Sequence, residues 1–219
     1  MIEYEGIKFQ WLGHDGFLIT GRSGKKICID PYQVSGDFES ADIVISTHQH
    51  GDHCSLTDIQ KFSTSETEII GIPLSKGIFD QIESKKIHYV KPGDKVTILD
   101  LSIEIVPAYN INKFRSPGVP FHPKEEQHIG VIINLEGARV YHTGDTDHIP
   151  EMADFVVDVA LLPVSGTYVM TAEEAIEAVH TLNPKLVIPM HFGKIVGNRS
   201  MAEKFKKGVK FRVEIPSID

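Results

Sequence analysis

The sequence predicts an α/β protein, a four-layer αββα sandwich with helices on the outer faces of two sheets. Three observations point there. Short β-branched runs separated by turn residues dominate the chain. Helical segments alternate with strands, and the last third reads strand–helix–strand, as a crossover unit does. Each half reads as a sheet with helices on one face, and packing two bare sheet faces together gives four layers.

Taken in order, residues 7–12 and 17–20 read as strands. Gly21-Arg22-Ser23-Gly24 is a turn, and residues 26–30 return as a third strand. Residues 41–47 (ADIVIST) are apolar and β-branched, like a buried strand, and run directly into HQHGDH. Ser55 followed three residues later by Asp58 marks a helix over 55–62. A strand is expected at Glu68–Gly71 and a helix over 74–84. Strands over 95–99 and 102–107 flank Asp100. Residues 108–127, with three Pro and one Gly, read as a long irregular loop, a length that is usually functional or disordered. Residues 128–135 and 139–142 form a hairpin across Glu136-Gly137. A strand over 156–164, a helix over Ala172–Leu182 capped by Thr171, and strands over Leu186–Met190 and 209–215 complete the chain.

At 219 residues and 24.4 kDa the chain buries a substantial core, and it reads as one domain, residues 1–219. Hydrophobic residues at 41% argue against wholesale disorder. A net charge of −8 repels phosphate backbones, which disfavours nucleic-acid partners. Cys28 and Cys54 read as free thiols of a reducing compartment. No basic leader and no membrane-length apolar run is present, so the expected location is the cytoplasm, with no membrane partner. The expected partner is a small-molecule substrate, and a homo-oligomer is allowed.

The strongest chemical signal is His48-Gln49-His50-Gly51-Asp52-His53. Four ligand-type side chains follow a buried strand within six residues. Imidazole and carboxylate suit zinc, manganese or iron. Adjacent Asp52 and His53 point differently from His48 and His50, so the loop can divide its donors between two ions. The alternative is a solvated His-rich loop, but three imidazoles packed without metal need partners and repel one another when protonated. Further donors follow strand ends: Asp145 in HTGDT and His191 in MHFG. His142 is a candidate ligand or a hydrogen-bonding support for one. His14, in a Gly-flanked turn, is a candidate support or substrate contact. Asp30, before Pro31, is a candidate acceptor for a ligating imidazole N–H, or a turn residue. His88, His148 and His180 read as surface or packing residues.

HQHGDH, the later GDT turn and the terminal PMH resemble the metallo-β-lactamase superfamily in order and spacing across most of the chain. WLGHDGFLI around His14, DPY at Asp30 and PVSGTYVM at 163–170 are similar to its lactonase-like branch. That branch resembles ascorbate-phosphate lactonase, N-acylphosphatidylethanolamine phospholipase D and, more distantly, ribonuclease Z. The resemblance implies the αββα fold and two divalent ions, with zinc favoured and manganese or iron allowed. It places His48 and His50 on one ion, Asp52, His53 and His191 on the other, and Asp145 between them. The family sets one more His on the first ion. PAYN at 107–110 has none there, which leaves His122 as the favoured candidate, with His128 and Asn110 as alternatives. The implied activity is hydrolysis of an ester, lactone or phosphoester by a metal-bridging hydroxide, with Asp52 and Asp145 fixing it. Lys113 and Arg115, with Lys124, are candidates for a clamp on an anionic substrate. Tyr168 is a candidate pocket residue. A ribonuclease Z-type nuclease and a non-catalytic metal-binding protein are the competing readings. The nuclease would need a basic arm that this acidic chain lacks.

Overall fold

Alternating apolar residues in the first 90 positions build a seven-stranded sheet. The structure is a computed structural model and describes residues 1–217. The chain divides into two compact units, the first essentially residues 1–90 and the second residues 91–216.

In the first unit β1 (Ile2–Tyr4), β2 (Ile7–Gly13), β3 (Gly16–Thr20) and β4 (Lys26–Ile29) form an antiparallel meander. β5 (Ile43–Ile45), β6 (Glu68–Gly71) and β7 (Lys86–Tyr89) then add in parallel beyond β4. The parallel links carry α1 (Leu56–Phe62) and α2 (Lys76–Phe79). Leu18, Cys28, Val44 and Ile69 lie in register across four neighbouring strands. They pack with Ile59 and Phe62 of α1 and Phe79 of α2 into one buried cluster. The alternate residues Phe17, Ile27, Ile43 and Ile45 are buried as well, so the centre of the sheet is covered on both faces. Ser55 caps α1 by accepting from the Asp58 N–H, as the sequence predicts. The Asp58 carboxylate in turn accepts the Gln33 and Val34 N–H groups at 2.8 and 3.0 Å, which ties the segment after β4 to the helix.

Two expectations fail here for local reasons. The strand over 41–47 shortens to three residues, because the Ser46 hydroxyl donates to the carbonyls of His48 and His53 and curls the chain into the HQHGDH loop. The helix over 74–84 is instead a 3₁₀ turn, Pro73–Ser75, followed by four α-helical residues. The chain tightens there through Gln81 N–H to Ile78 and Ile82 N–H to Phe79, and so places Phe79 and Ile82 in the core while Leu74 stays exposed. Gly71 is needed beneath it, since a Cβ at that position would overlap the Phe79 ring. β1 and β7 have no counterpart among the expected strands.

The second unit contains β8 (Lys95–Ile98), β9 (Leu101–Pro107), β10 (Phe114–Ser116), β11 (Val119–Pro120), β12 (Ile129–Leu135), β13 (Ala138–His142), β14 (Val159–Pro163) and β15 (Leu186–Met190). Six of these form a sheet in the order β15-β14-β13-β12-β9-β8, while β10 and β11 make a small separate hairpin inside the expected loop. β13, β14 and β15 are mutually parallel, and α3 (Ala172–Leu182) carries the last crossover, as expected. α4 (Arg199–Gly208) was not foreseen. It is mostly polar, burying only Ala202 and Phe205, and it packs so closely on α3 that a Cβ at Gly208 would overlap Ile176. The strand over 209–215 reduces to one parallel bridge, Val187 with Val213. Val187 N–H donates to Arg212 and Glu214 N–H to Val187, but the next partners, Pro189 and Pro216, have no N–H to extend the ladder.

α3 starts with a capping box between Thr171 and Glu174. Glu174 also accepts Asn112 Nδ2 at 2.7 Å and Lys113 Nζ at 2.7 Å, which fastens residues 112–113 to the helix. Burial raises the Glu174 pKa, but the Lys113 ammonium, the Thr171 N–H and the Asn112 amide outweigh it and hold the carboxyl at about 2. A depressed folded-state pKa gives stability that is complete above the unfolded value of 4.5 and is lost as pH falls toward 2. Discounted for partial exposure, the contribution is about 2 kcal/mol at neutral pH. Glu174→Gln is therefore expected to destabilise by about that amount at neutral pH and to flatten the acid decline of stability. Urea titrations across that range check it, and an unchanged decline contradicts it.

Candidate metal centre

In the first unit the donors collect where β4 and β5 end. These strands run parallel, so Asp30 and the loop 46–53 leave the sheet at one edge, where ligands bind in open α/β sheets. Asp30 is fully buried. Its carboxylate accepts the Thr47 N–H at 2.8 Å, the Thr47 hydroxyl at 2.6 Å and His53 Nδ1 at 2.8 Å. Because the Thr47 hydroxyl donates to Asp30, its oxygen accepts from His48 Nδ1 at 3.1 Å. One carboxylate thus fixes two imidazoles, and both present the Nε2 lone pair. His48 Nε2 lies 3.0 Å from His50 Nδ1, and the His48 and His53 rings stand 4.1 Å apart. Asp52 Oδ2 lies 3.3 Å from His14 Nε2 and 3.7 Å from His53 Nε2.

In the second unit the donors again share an edge. Asp145 follows β13, Ser165 follows β14 and His191 follows β15, the three parallel strands. β9 runs in the same direction, since both it and β13 are antiparallel to β12, so Asn110 emerges beside them. His122 Nε2 and His191 Nε2 both lie 3.3 Å from Asp145 Oδ2. The Ser165 hydroxyl lies 2.9 Å from His191 Nδ1 and 3.3 Å from the Thr167 carbonyl, and so anchors the ring through Nδ1. His122 Nδ1 meets Asn110 Oδ1 at 3.0 Å. Both rings thus bring Nε2 to within 3.3 Å of one oxygen of a buried carboxylate. An imidazole anchored through one nitrogen with the other offered beside a carboxylate is the donor chemistry of a metal ligand. His14, Asp30 and His191 also hold left-handed φ angles of 53°, 46° and 60°, a strained backbone of the kind that concentrates at functional sites.

A family model described as a beta-lactamase superfamily domain matches residues 8–191. The chain belongs to the metallo-β-lactamase superfamily. Its curated relatives include UPF0173 metal-dependent hydrolases from Pyrococcus furiosus, 32% identical with 95% of this chain and 96% of the relative covered, and from Thermococcus kodakarensis, 32% identical with 95% of each covered. The crystal structure of a protein named as a metal-dependent hydrolase, from Parabacteroides distasonis, superposes with a TM-score of 0.83 at 32% identity, covering 97% of this chain and 94% of that one. Igni18, a metallo hydrolase from Ignicoccus hospitalis, shares the fold at a TM-score of 0.72 and 24% identity, covering 95% of this chain and 94% of its own. The α/β fold expected from the sequence is thus the metallo-β-lactamase fold.

Within this superfamily frame the remaining candidates separate. His122 faces Asp145, whereas His128 meets Glu126 at 2.9 Å and packs edge-on to His122. Asn110 is a partner of His122. His142 is buried, and its Nδ1 accepts the Gly144 N–H at 3.2 Å, which shapes the turn before Asp145. Lys113, expected in an anion clamp, has its ammonium 2.7 Å from Glu174 and 3.5 Å from Asp147, paired inside the unit. Lys124 likewise pairs with Glu151 at 2.8 Å. Arg115 donates to the carbonyls of Pro120 and Phe121 from an exposed position. Tyr168 is exposed, and its ring meets Phe121 edge-on at 4.6 Å. Sequence reading missed Asp15, fully buried with Oδ2 3.9 Å from His53 Nδ1, although it stands beside His14 in the same turn. It also missed Thr47, Ser165 and Asp147, whose types give no signal apart from their positions at strand ends.

Proposed function

We propose that residues 1–219 act as one hydrolase domain that holds two divalent cations, zinc foremost and manganese or iron as alternatives. His48, His50 and His122 serve one ion, Asp52, His53 and His191 the other, and Asp145 both. The reaction is hydrolysis of an ester, lactone or phosphoester in a small cytoplasmic substrate. What supports this most is the anchoring of His48, His53, His122 and His191 through Nδ1, which leaves each Nε2 as a donor. The Parabacteroides and Pyrococcus relatives, both metal-dependent hydrolases by name, support the reaction class.

When bound, the cations supply a water activated near neutral pH and Lewis acidity at the scissile carbonyl or phosphoryl group. The chain's own residues supply the rest. Asp145, with its side chain 4% exposed, stays between His122 and His191 as a fixed charge. Asp52 is the more accessible carboxylate at 26%, and it takes the proton released by the attacking water and passes it to solvent. His14, 3.3 Å from Asp52, holds that carboxylate in place. With Lys113 paired, Arg115 is the remaining candidate to meet an anionic group on the substrate.

The test is a panel of lactones, carboxylic esters and phosphodiesters, assayed with added zinc or manganese beside a His191→Ala control. Metal-dependent turnover of at least one class, lost in the control, is expected. No turnover by the metal-loaded protein on any class contradicts the reading.

A further inference from the structure

We infer that Asn110 is a positioning residue that fixes the tautomer and direction of His122. The inference rests on the metal reading above for its consequence, though not for its geometry. Asn110 is buried at the exit of β9. Its Oδ1 accepts twice from one residue, from the His122 backbone N–H at 2.9 Å and from His122 Nδ1 at 3.0 Å. The backbone N–H can only donate, so the Asn110 amide must present oxygen to it, and the ring nitrogen beside it must carry the proton. With the proton on Nδ1, Nε2 carries the lone pair of the neutral ring, and it lies 3.3 Å from Asp145 Oδ2.

The other end of the same amide is held just as firmly. Asn110 Nδ2 donates to Asp147 Oδ1 at 3.2 Å and to the Tyr168 carbonyl at 2.9 Å. Both are acceptors only, so the amide has one consistent orientation. Asp147 is itself buried and accepts the Ile111 and Asn112 N–H groups at 2.6 and 2.9 Å. It stands two residues beyond Asp145 in the same turn. The Tyr168 carbonyl belongs to the loop that starts with Ser165, the partner of His191. Through Asn110 the turn carrying Asp145 and the loop supporting His191 are both tied to the orientation of His122. A histidine on a long loop is in this way held by contacts that reach the segments following β13 and β14. The strand exit that lacks a His at 107–110 supplies the anchor for a His twelve residues on.

Two measurements test this. In the metal-free wild-type protein, nitrogen-15 NMR of His122 is expected to show the Nδ1–H tautomer. The Nε2–H form there would overturn the inference without bearing on metal binding. In zinc titrations Asn110→Ala is expected to weaken one of two sites roughly 10- to 100-fold. The other site should change less than about threefold, while far-ultraviolet circular dichroism stays native. Asn110→Asp keeps the acceptor for Nδ1–H and is expected to restore most of the affinity. A folded Asn110→Ala protein with both zinc affinities intact overturns the inference, as does an equal loss at both sites. If the wild type binds no zinc, the proposed function fails, and the tautomer measurement still decides the role of Asn110.

Discussion

Asp30→Ala is expected to lose zinc affinity by about 100-fold and fold stability by about 3 kcal/mol in the same molecule. The carboxylate is fully buried and accepts from Thr47 N–H, Thr47 Oγ and His53 Nδ1. Removing it strands buried donors, each at about 1–3 kcal/mol, with incomplete additivity. His53 loses its anchor directly, and His48 loses it through Thr47, whose hydroxyl is then free to rotate and donate to the ring. The left-handed backbone at position 30 adds about 1 kcal/mol of strain for Ala that Asp tolerates better. Asp30→Asn separates the causes: it suits the backbone and keeps one acceptor, so stability should largely recover while zinc affinity should not. Chemical denaturation and zinc titration of the three proteins check this. An Asp30→Ala protein that binds zinc as tightly as wild type contradicts it.

The second large effect is expected at Asp145. In metal-free protein with both rings neutral, Asp145→Ala removes a buried carboxylate 3.3 Å from two imidazole nitrogens, so stability should hold or rise. With zinc the sign reverses. A ligand at about 1,000 times its dissociation constant stabilises the wild type by about 4 kcal/mol, and the variant should gain almost none of this. Hydrolysis should fall at least about 1,000-fold, the loss of roughly 4 kcal/mol of transition-state stabilisation. Thermal melts with and without zinc read the reversal directly. A variant stabilised by zinc as much as wild type contradicts it.

Much of this was legible because the relevant signals are local. HQHGDH follows an apolar strand and needs no distant information to be read as a donor loop. Asp30 before Pro31 marks a rigid strand-end turn, and Ser55 with Asp58 marks a helix start. What stayed hidden depends on packing. The exposure of Leu74 and burial of Phe79 decide that 74–84 tightens into turns. The strand over 209–215 fails because its partner carries Pro189, a fact about a neighbour found only after folding. α4 escaped notice because two buried side chains, Ala202 and Phe205, are too few to set a visible period. Lys113 reads as a clamp candidate in the sequence because Glu174, its partner, lies 61 residues away. Sequence favours His122 over His128 and Asn110, but the contact that holds His122 runs through Asn110, twelve residues earlier on another element.

Zinc bound per chain at saturation, measured by equilibrium dialysis with elemental analysis, tests the central claim most directly. Two ions per wild-type chain are predicted, falling to one or none in Asp145→Ala. Fewer than one ion per wild-type chain, or a content that Asp145→Ala leaves unchanged, would contradict it.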